Sequence, residues 1–356
     1  MTDQNYRPEN IFSIASSIQT KLEQSILDMR EVYEKSHVLS INARIEAART
    51  GIHGVGFKIV AQEFSELNEE IDKITALMSE HIHKETDTLM TISDGMAKQV
   101  RGQRLSQISL SIMDVIDRNL YERTCDVRWW ATDPSVFNAL DKKSNETTSY
   151  ASERLGVILD AYTVYLDLVL VDSNGTIIAN GRPNKFNSVG SVVKKEEWFK
   201  EALNSPSMDF YSFQETHSST LVKNKEVLIY GCKIDCPDNK TPLGVLGILF
   251  NWKGLCSAVI DRVMNIDLND DINVLKLKTE ISIINSEGIV LFSTDKYSPG
   301  DKFRYNRLYD ILKNKNMGHH IDYKDNMIEL TAFGYSPGFE TYQTGWFCII
   351  NQWIKK

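Results

Sequence analysis

The chain is poor in most features that would assign it quickly. Its 356 residues include only five cysteines, Cys125, Cys232, Cys236, Cys256 and Cys348. So small, odd and scattered a set argues against a disulfide framework and suits reduced thiols. Cys232 and Cys236 have three residues between them and no matching second pair, so they read as packed thiols rather than zinc ligands. His81 and His83, two apart on a helix, point about 200° apart and cannot share a metal. No run of about 20 apolar residues exists, so no membrane-spanning helix is expected. The opening residues, MTDQNYRPENIFSIASS, lack the basic stretch and apolar core of a secretory signal. A cytoplasmic location is therefore expected. Lys and Arg number 40 against 48 Asp and Glu, for a net charge of −8, which argues against a nucleic-acid partner. Also missing are a Gly-x-Ser-x-Gly elbow, a phosphate loop and a His-Glu-x-x-His pair. No catalytic constellation emerges, no metal or cofactor is implied, and the chain is read as a non-enzyme.

What is present begins with helical periodicity. From Ile11, steps of four and three reach Ala15, Ile18, Leu22, Ser25, Met29, Val32, Ser36, Leu39 and Ala43. That is a heptad seam, which predicts a coiled coil. A second seam, Phe57, Val60, Phe64, Leu67, Ile71, Ile74 and Met78, predicts a return arm over 57–80. The stepping then meets His81, Glu85 and Thr88, so 81–103 reads as a weakened or offset segment, with a further helix over 104–124. Between the arms stands Gly51-Ile52-His53-Gly54-Val55-Gly56. Each glycine costs about 1 kcal/mol in a helix interior relative to Ala, but glycine supplies the positive φ of a tight reversal. Two helices folded back at a glycine tip follow. A dinucleotide loop is excluded by the preceding helix, since that loop must follow a strand.

Residues 118–134 carry adjacent tryptophans, Trp129 and Trp130, read as packing at a junction. Asp133 before Pro134 caps a new helix, and 137–165 is helical with a polar break at Lys143 to Thr148. From Leu166 the period changes to two. Strand-like 166–171, the turn Asp172-Ser173-Asn174-Gly175 and strand 176–180 make a hairpin. The pattern recurs as 281–284, Asn285-Ser286-Glu287-Gly288 and 289–292. Each hairpin is followed by a short helix, Lys195–Leu203 or Tyr305–Lys313, and three strands. The first set is 209–213, 226–234 and 244–251; the second is 318–323, 327–333 and 346–351. Such repetition predicts two similar α+β modules in tandem.

The stretch Asn42 to Leu67, NARIEAARTGIHGVGFKIVAQEFSEL, resembles the signalling tip of bacterial methyl-accepting chemotaxis proteins. That family has Asn-Ala-x-Val/Ile-Glu-Ala-Ala-Arg-x-Gly before its turn and Gly-Phe-x-Val-Val-Ala-x-Glu after it. Here Asn42, Ala43, Ile45, Glu46, Ala47, Ala48, Arg49 and Gly51 match, then Gly54, Gly56, Phe57, Ile59, Val60, Ala61 and Glu63. The tip departs at Ile52 and Val55, where the family usually carries Glu and Arg. The resemblance implies a homodimer whose hairpins form a four-helix bundle and dock a histidine kinase and its coupling protein. It places Asn42, Glu46, Arg49, Gly54 and Phe57 in the signalling contact.

The later modules resemble a double Cache sensor, through VDSNGTIIAN, Glu197-Trp198-Phe199-Lys200-Glu201-Ala202, Gly244-Val245-Leu246-Gly247-Ile248, and Gly334-Tyr335 with Gly345-Trp346. Amino-acid sensors of that family use a Tyr, an Arg-x-Trp-Tyr and a late Asp. Here Ser191, Glu196, Phe199 and Leu249 stand at the first Tyr, the Arg, the second Tyr and near the Asp, and only Trp198 is kept. A cationic or uncharged small molecule is expected instead, since aromatic faces attract cations. The candidate ligand residues are Lys195, Glu196, Trp198, Phe199, Tyr211, Phe213 and Tyr230. The expected fold is α+β: an N-terminal antiparallel helical hairpin, a long helix and two tandem PAS-like (Cache) modules. The domains are 1–125 for signalling and 126–356 for sensing, with modules of about 126–262 and 263–356. The chain is read as a soluble chemoreceptor-like transducer in which ligand biases the packing of the helix around Leu105–Trp130. The rival is a ligand-binding dimeric module whose hairpin only self-associates.

Overall fold

The computed structural model describes residues 8–238, 240–268, 278–314, 316–324 and 327–355. The chain divides into two compact units, Met1–Arg101 and Gly102–Lys356. Helix α2 contributes residues to both, and the expected boundary at 125/126 falls within it.

The first unit holds α1 (Pro8–Arg49) and the first part of α2 (Val55–Trp130), antiparallel about the tip. Small and polar side chains line their shared face. Ala15, Ser40 and Ala47 of α1 and Ala61, Asn68, Thr75, Thr86 and Ser93 of α2 are buried. Ser40 Oγ donates to the Ala61 carbonyl at 2.9 Å, and His83 Nδ1 lies 3.6 Å from Glu23 across the pair. Most large members of the expected seams face outward instead: Ile18, Met29, Val32 and Leu39 on α1, Phe57, Val60, Phe64, Leu67, Ile74 and Met78 on α2. No weakened segment interrupts α2 over 81–103. The inward row continues through Ile82, Thr86, Met90, Ser93 and Ala97, in steps of three and four that keep to one helix face, starting one position away from the expected row. Gly95 is absorbed because one helical glycine costs only about 1 kcal/mol.

In the second unit, α2 ends beside α3 (Pro134–Lys142) and α4 (Asn145–Ala161). Asp133 accepts from Ser135 N as the α3 cap, and Lys143, at φ 48°, makes the expected break. The two tryptophans divide, as residues about 100° apart on a helix must. Trp130 is buried edge-on to Tyr162 and Tyr165, whereas Trp129 is 70% exposed.

Two five-stranded antiparallel sheets follow. The first comprises β1 (Tyr165–Asp172), β2 (Ile177–Asn180), β3 (Ser212–Ser219), β4 (Lys225–Asp235) and β5 (Pro242–Phe250), in order β2-β1-β5-β4-β3. Helix α5 (Glu197–Leu203) lies between β2 and β3 in sequence, and α6 (Trp252–Leu268) follows β5. The second comprises β6 (Lys278–Ile284), β7 (Val290–Ser293), β8 (Met317–Lys324), β9 (Met327–Tyr335) and β10 (Phe347–Lys355), in order β7-β6-β10-β9-β8, with α7 (Leu308–Lys313) before β8. The two orders are the same, so the tandem α+β modules stand. Their turns match atom for atom. Asp172 Oδ1 accepts from Asn174 N and Thr176 N, and Asn285 Oδ1 from Glu287 N and Ile289 N. Gly175 and Gly288 then take φ 88° and 77°.

Residues 102–130 of α2 lie against these sheets. Leu105, Ile108, Ile112, Met113, Ile116 and Leu120 are buried with residues of both modules. Ser106 Oγ donates to the Gly318 carbonyl at 2.7 Å. The helix backbone touches β9, since a Cβ at Gly334 would sit 2.4 Å from Leu110 N.

The first sheet also buries Asp167, whose carboxylate accepts from Asn180 Nδ2 at 2.7 Å and from Leu168 N and Arg182 N. Burial outweighs these bonds and raises its pKa from 3.8 to about 6. Between those values the folded chain holds a proton that the unfolded chain has released. This group's contribution is therefore full below about pH 4 and is lost as pH rises through 6. In urea unfolding at a series of pH values, Asp167→Asn removes that slope. Its stability relative to the wild type rises by on the order of 2–3 kcal/mol from pH 4 to pH 7, whatever constant offset the lost acceptor adds.

Candidate functional site

Two places gather the sequence-derived candidates. The first is the tip. Thr50 Oγ1 donates to the carbonyls of Glu46 and Ala47 at 3.1 and 3.2 Å, closing α1. Gly51 then takes φ +58°, and Gly51–Gly54 forms a 3₁₀ turn. Gly54 is buried, and a Cβ there would stand 2.2 Å from the Ala47 carbonyl oxygen, so this position is structural. Gly56 has open space around its missing Cβ. Asn42, Glu46 and Arg49 are exposed, with Arg49 Nη1 3.8 Å from Glu46 Oε2. Phe57 is 74% exposed, and Ile52 at the apex 91%. Phe57 also lines an apolar groove of about 160 Å³ with Leu39, Ala43, Val60 and Phe64. Four of the five expected contact residues are therefore open to a partner, and Gly54 shapes the turn.

The second is a cavity of about 190 Å³ in the first module. Ser191, Val192, Val193, Glu196, Trp198, His217, Ser218, Ser219, Thr220, Leu221 and Ile229 line it. Strand β3 makes one wall because its register with β4 slips between Gln214 and His217. Gln214 Oε1 accepts from Trp198 N at 3.3 Å and Ser212 Oγ donates to the Trp198 carbonyl at 2.6 Å, fixing the start of α5. The indole rests its benzo edge on Gly231 and Gly247. Its Nε1 is buried without a hydrogen-bond partner. His217 Nδ1 sits 2.9 Å from the Glu215 carbonyl, so Nδ1 carries the donated proton, and Nε2 of the neutral ring is an acceptor.

Of the expected ligand residues, Glu196 and Trp198 line this cavity. Phe199 is packed edge-on to Trp198 at 6.1 Å within the adjoining core, and Lys195 is exposed outside the lining. Tyr211, Phe213 and Tyr230 lie on the other face of the sheet. Tyr230 OH meets Tyr342 OH of the second module at 3.0 Å, and Phe213 lies tilted between the rings of Tyr230 and Trp346. The reason is strand alternation: Ile229 faces the cavity, so Tyr230 cannot. Residues not singled out beforehand as ligand candidates are His217, Ser218, Ser219 and Thr220. Their signal was a run of four hydrogen-bonding side chains where the strand β3 ends. Among the described residues, no cluster of three or more His, Cys, Asp or Glu is placed to hold a metal ion. No helix among them is long and apolar enough to cross a membrane. All five cysteines are free, with Cys232, Cys256 and Cys348 buried, and burial pushes the Cys232 thiol up to about 12.

No family model matches the chain. It is 38% identical over 77 residues to the biofilm dispersion protein BdlA of Pseudomonas aeruginosa, covering 21% of this chain and 18% of BdlA. It is 33% identical over 103 residues to the methyl-accepting chemotaxis protein McpP of Pseudomonas putida, covering 27% and 19%. The chain thus spans less than a fifth of the length of these curated relatives. In structure, it resembles a domain of a sensory box/GGDEF family protein from Vibrio parahaemolyticus with TM-score 0.52, 13% identity, and coverage of 72% of this chain and 97% of that one. The ligand-binding domain of the Pseudomonas aeruginosa amino acid chemoreceptor PctB, solved with L-Arg, aligns at TM-score 0.44 and 15% identity, covering 70% and 94%. The chemoreceptor resemblance is borne out in sequence and the sensor fold in structure.

A test of the cavity's geometry follows from Gly247, where a Cβ would lie 2.8 Å from Cη2 and Cζ3 of Trp198. Gly247→Ala is expected to cost about 1–3 kcal/mol in urea unfolding, as overpacking does.

Proposed function

We propose that the chain is a chemoreceptor-like signal transducer. It binds a small molecule in the first-module cavity and modulates a chemotaxis histidine kinase, with its coupling protein, through the hairpin tip. The observation that carries this reading is the tip itself. Its family-matching residues Asn42, Glu46 and Arg49 are held at a closed glycine turn with their side chains exposed. In this reading the helices up to about residue 125 signal, residues 126–356 sense, and the protein works in the cytoplasm as a homodimer. A second copy covers the outward Ile18, Val32, Leu39, Val60 and Leu67 in a four-helix bundle. Ligand biases one of two packings of the helix around Leu105–Trp130.

The cavity's lining favours a cationic or uncharged ligand. Among its described residues there is no lysine or arginine to pair with a carboxylate, while Glu196 supplies a negative charge. The hydroxyls of Ser191, Ser218, Ser219 and Thr220, the acceptor nitrogen of His217 and the free indole N–H suit a hydrogen-bonding molecule.

The test is capture of purified chemotaxis kinase and coupling protein by the full chain, beside a Glu46→Ala/Arg49→Ala variant. The expected outcome is capture by the wild type and a loss of about tenfold or more in the variant, the effect of truncating interfacial charges. A folded wild type that captures neither protein contradicts kinase coupling and leaves a hairpin that only self-associates.

A further inference from the structure

The register slip in β3 places three contacts within four residues. Gln214 holds the Trp198 backbone, and His217 lines the cavity. Between them, Glu215 reaches the second module. Its Oε1 accepts from Trp346 Nε1 at 3.2 Å and its Oε2 from Asn285 Nδ2 at 3.0 Å. Asn285 cannot rotate its amide to suit another partner, because its Oδ1 already holds Glu287 N and Ile289 N. His217 is tied to the same residue through the Glu215 carbonyl. Any movement of His217 therefore acts on the residue that grips the second module.

Trp346 closes the segment 336–346, which turns through three residues of positive φ, Gly338, Glu340 and Gly345. That segment is fastened on its other side to α2. Ser336 Oγ, Gly338 N and Thr344 Oγ1 donate to the carboxylate of Asp117 at 2.6, 2.7 and 2.8 Å, and Thr344 N at 3.3 Å. One short segment thus has a carboxylate at each side, Glu215 toward the cavity and Asp117 on the helix.

We propose that Glu215 is a positioning residue that couples the first-module cavity to helix α2, by holding Trp346 and Asn285 from the same strand bulge that carries His217. The inference rests on the reading of that cavity as the ligand site. Coupling along a contiguous chain of hydrogen bonds is measured as non-additivity between variants.

Hydrogen–deuterium exchange of the ligand-free full chain provides that measurement. His217→Ala is expected to speed exchange of the 336–346 amides about tenfold, and Glu215→Gln to do the same, with β1 and β5 unchanged. The double variant is expected to match the faster single variant rather than their product. Trp346→Phe, which leaves β3 intact, is expected likewise to abolish any further effect of His217→Ala. Multiplying effects near a hundredfold, or a segment indifferent to His217→Ala, overturn the coupling. Because no ligand is used, such a result stands apart from a failed ligand titration, which would instead remove the cavity as the binding site.

Discussion

A buried carboxylate fixes how α2 meets the two α+β modules. Asp117 is fully buried on a helix whose own backbone cannot satisfy it. Stranded there without partners, its charge would carry a heavy desolvation cost. Four donors from the β9–β10 connection meet it instead, so helix and connection are specified together. The glycine at position 334 lets the helix backbone come that close. A second polar anchor sits farther along. Asp126 receives the Tyr165 hydroxyl, and Arg123 lies 3.3 Å from Asp126 and stacks its guanidinium 5.1 Å from the Tyr165 ring. The helix segment is therefore part of the core of the two modules rather than a tether to them.

The hairpin follows the opposite logic. Its arms approach through Ala15, Ser40, Ala47 and Ala61, which brings the backbones close but buries little apolar area. The isoleucines, leucines, valines and phenylalanines that would stabilise a coiled coil lie on the outside. An arrangement of this kind makes sense as half of a larger bundle.

How much of this the sequence discloses depends on what each feature requires of a residue. The two strand turns were legible because an Asx turn needs Asp or Asn first and Gly at the positive φ, and both VDSNG and INSEG supply them. The tip was legible for the same reason at Gly51. The continuity of α2 was not, because its inward row is mostly Ser, Thr, Asn and Ala, with Ile82 and Met90 too far apart for hydropathy to read as a row. Nor were the faces of β3 and β4: plain alternation turns Tyr230, and Phe213 opposite it, to the contact between modules, while a register slip between Gln214 and His217 turns His217 to the cavity. Helix α6, between the modules, went unannounced because its apolar residues continue directly from β5 without a turn signal.

The central physical claim is that the outward apolar face of the hairpin belongs inside an assembly of two chains. Sedimentation equilibrium of the full-length protein tests it most directly. The account predicts a species of twice the chain mass that persists at micromolar concentration, and a monomer when Leu39, Val60 and Leu67 are changed together to Glu. A well-folded wild-type monomer at those concentrations would contradict it, and the exposed face would need another partner.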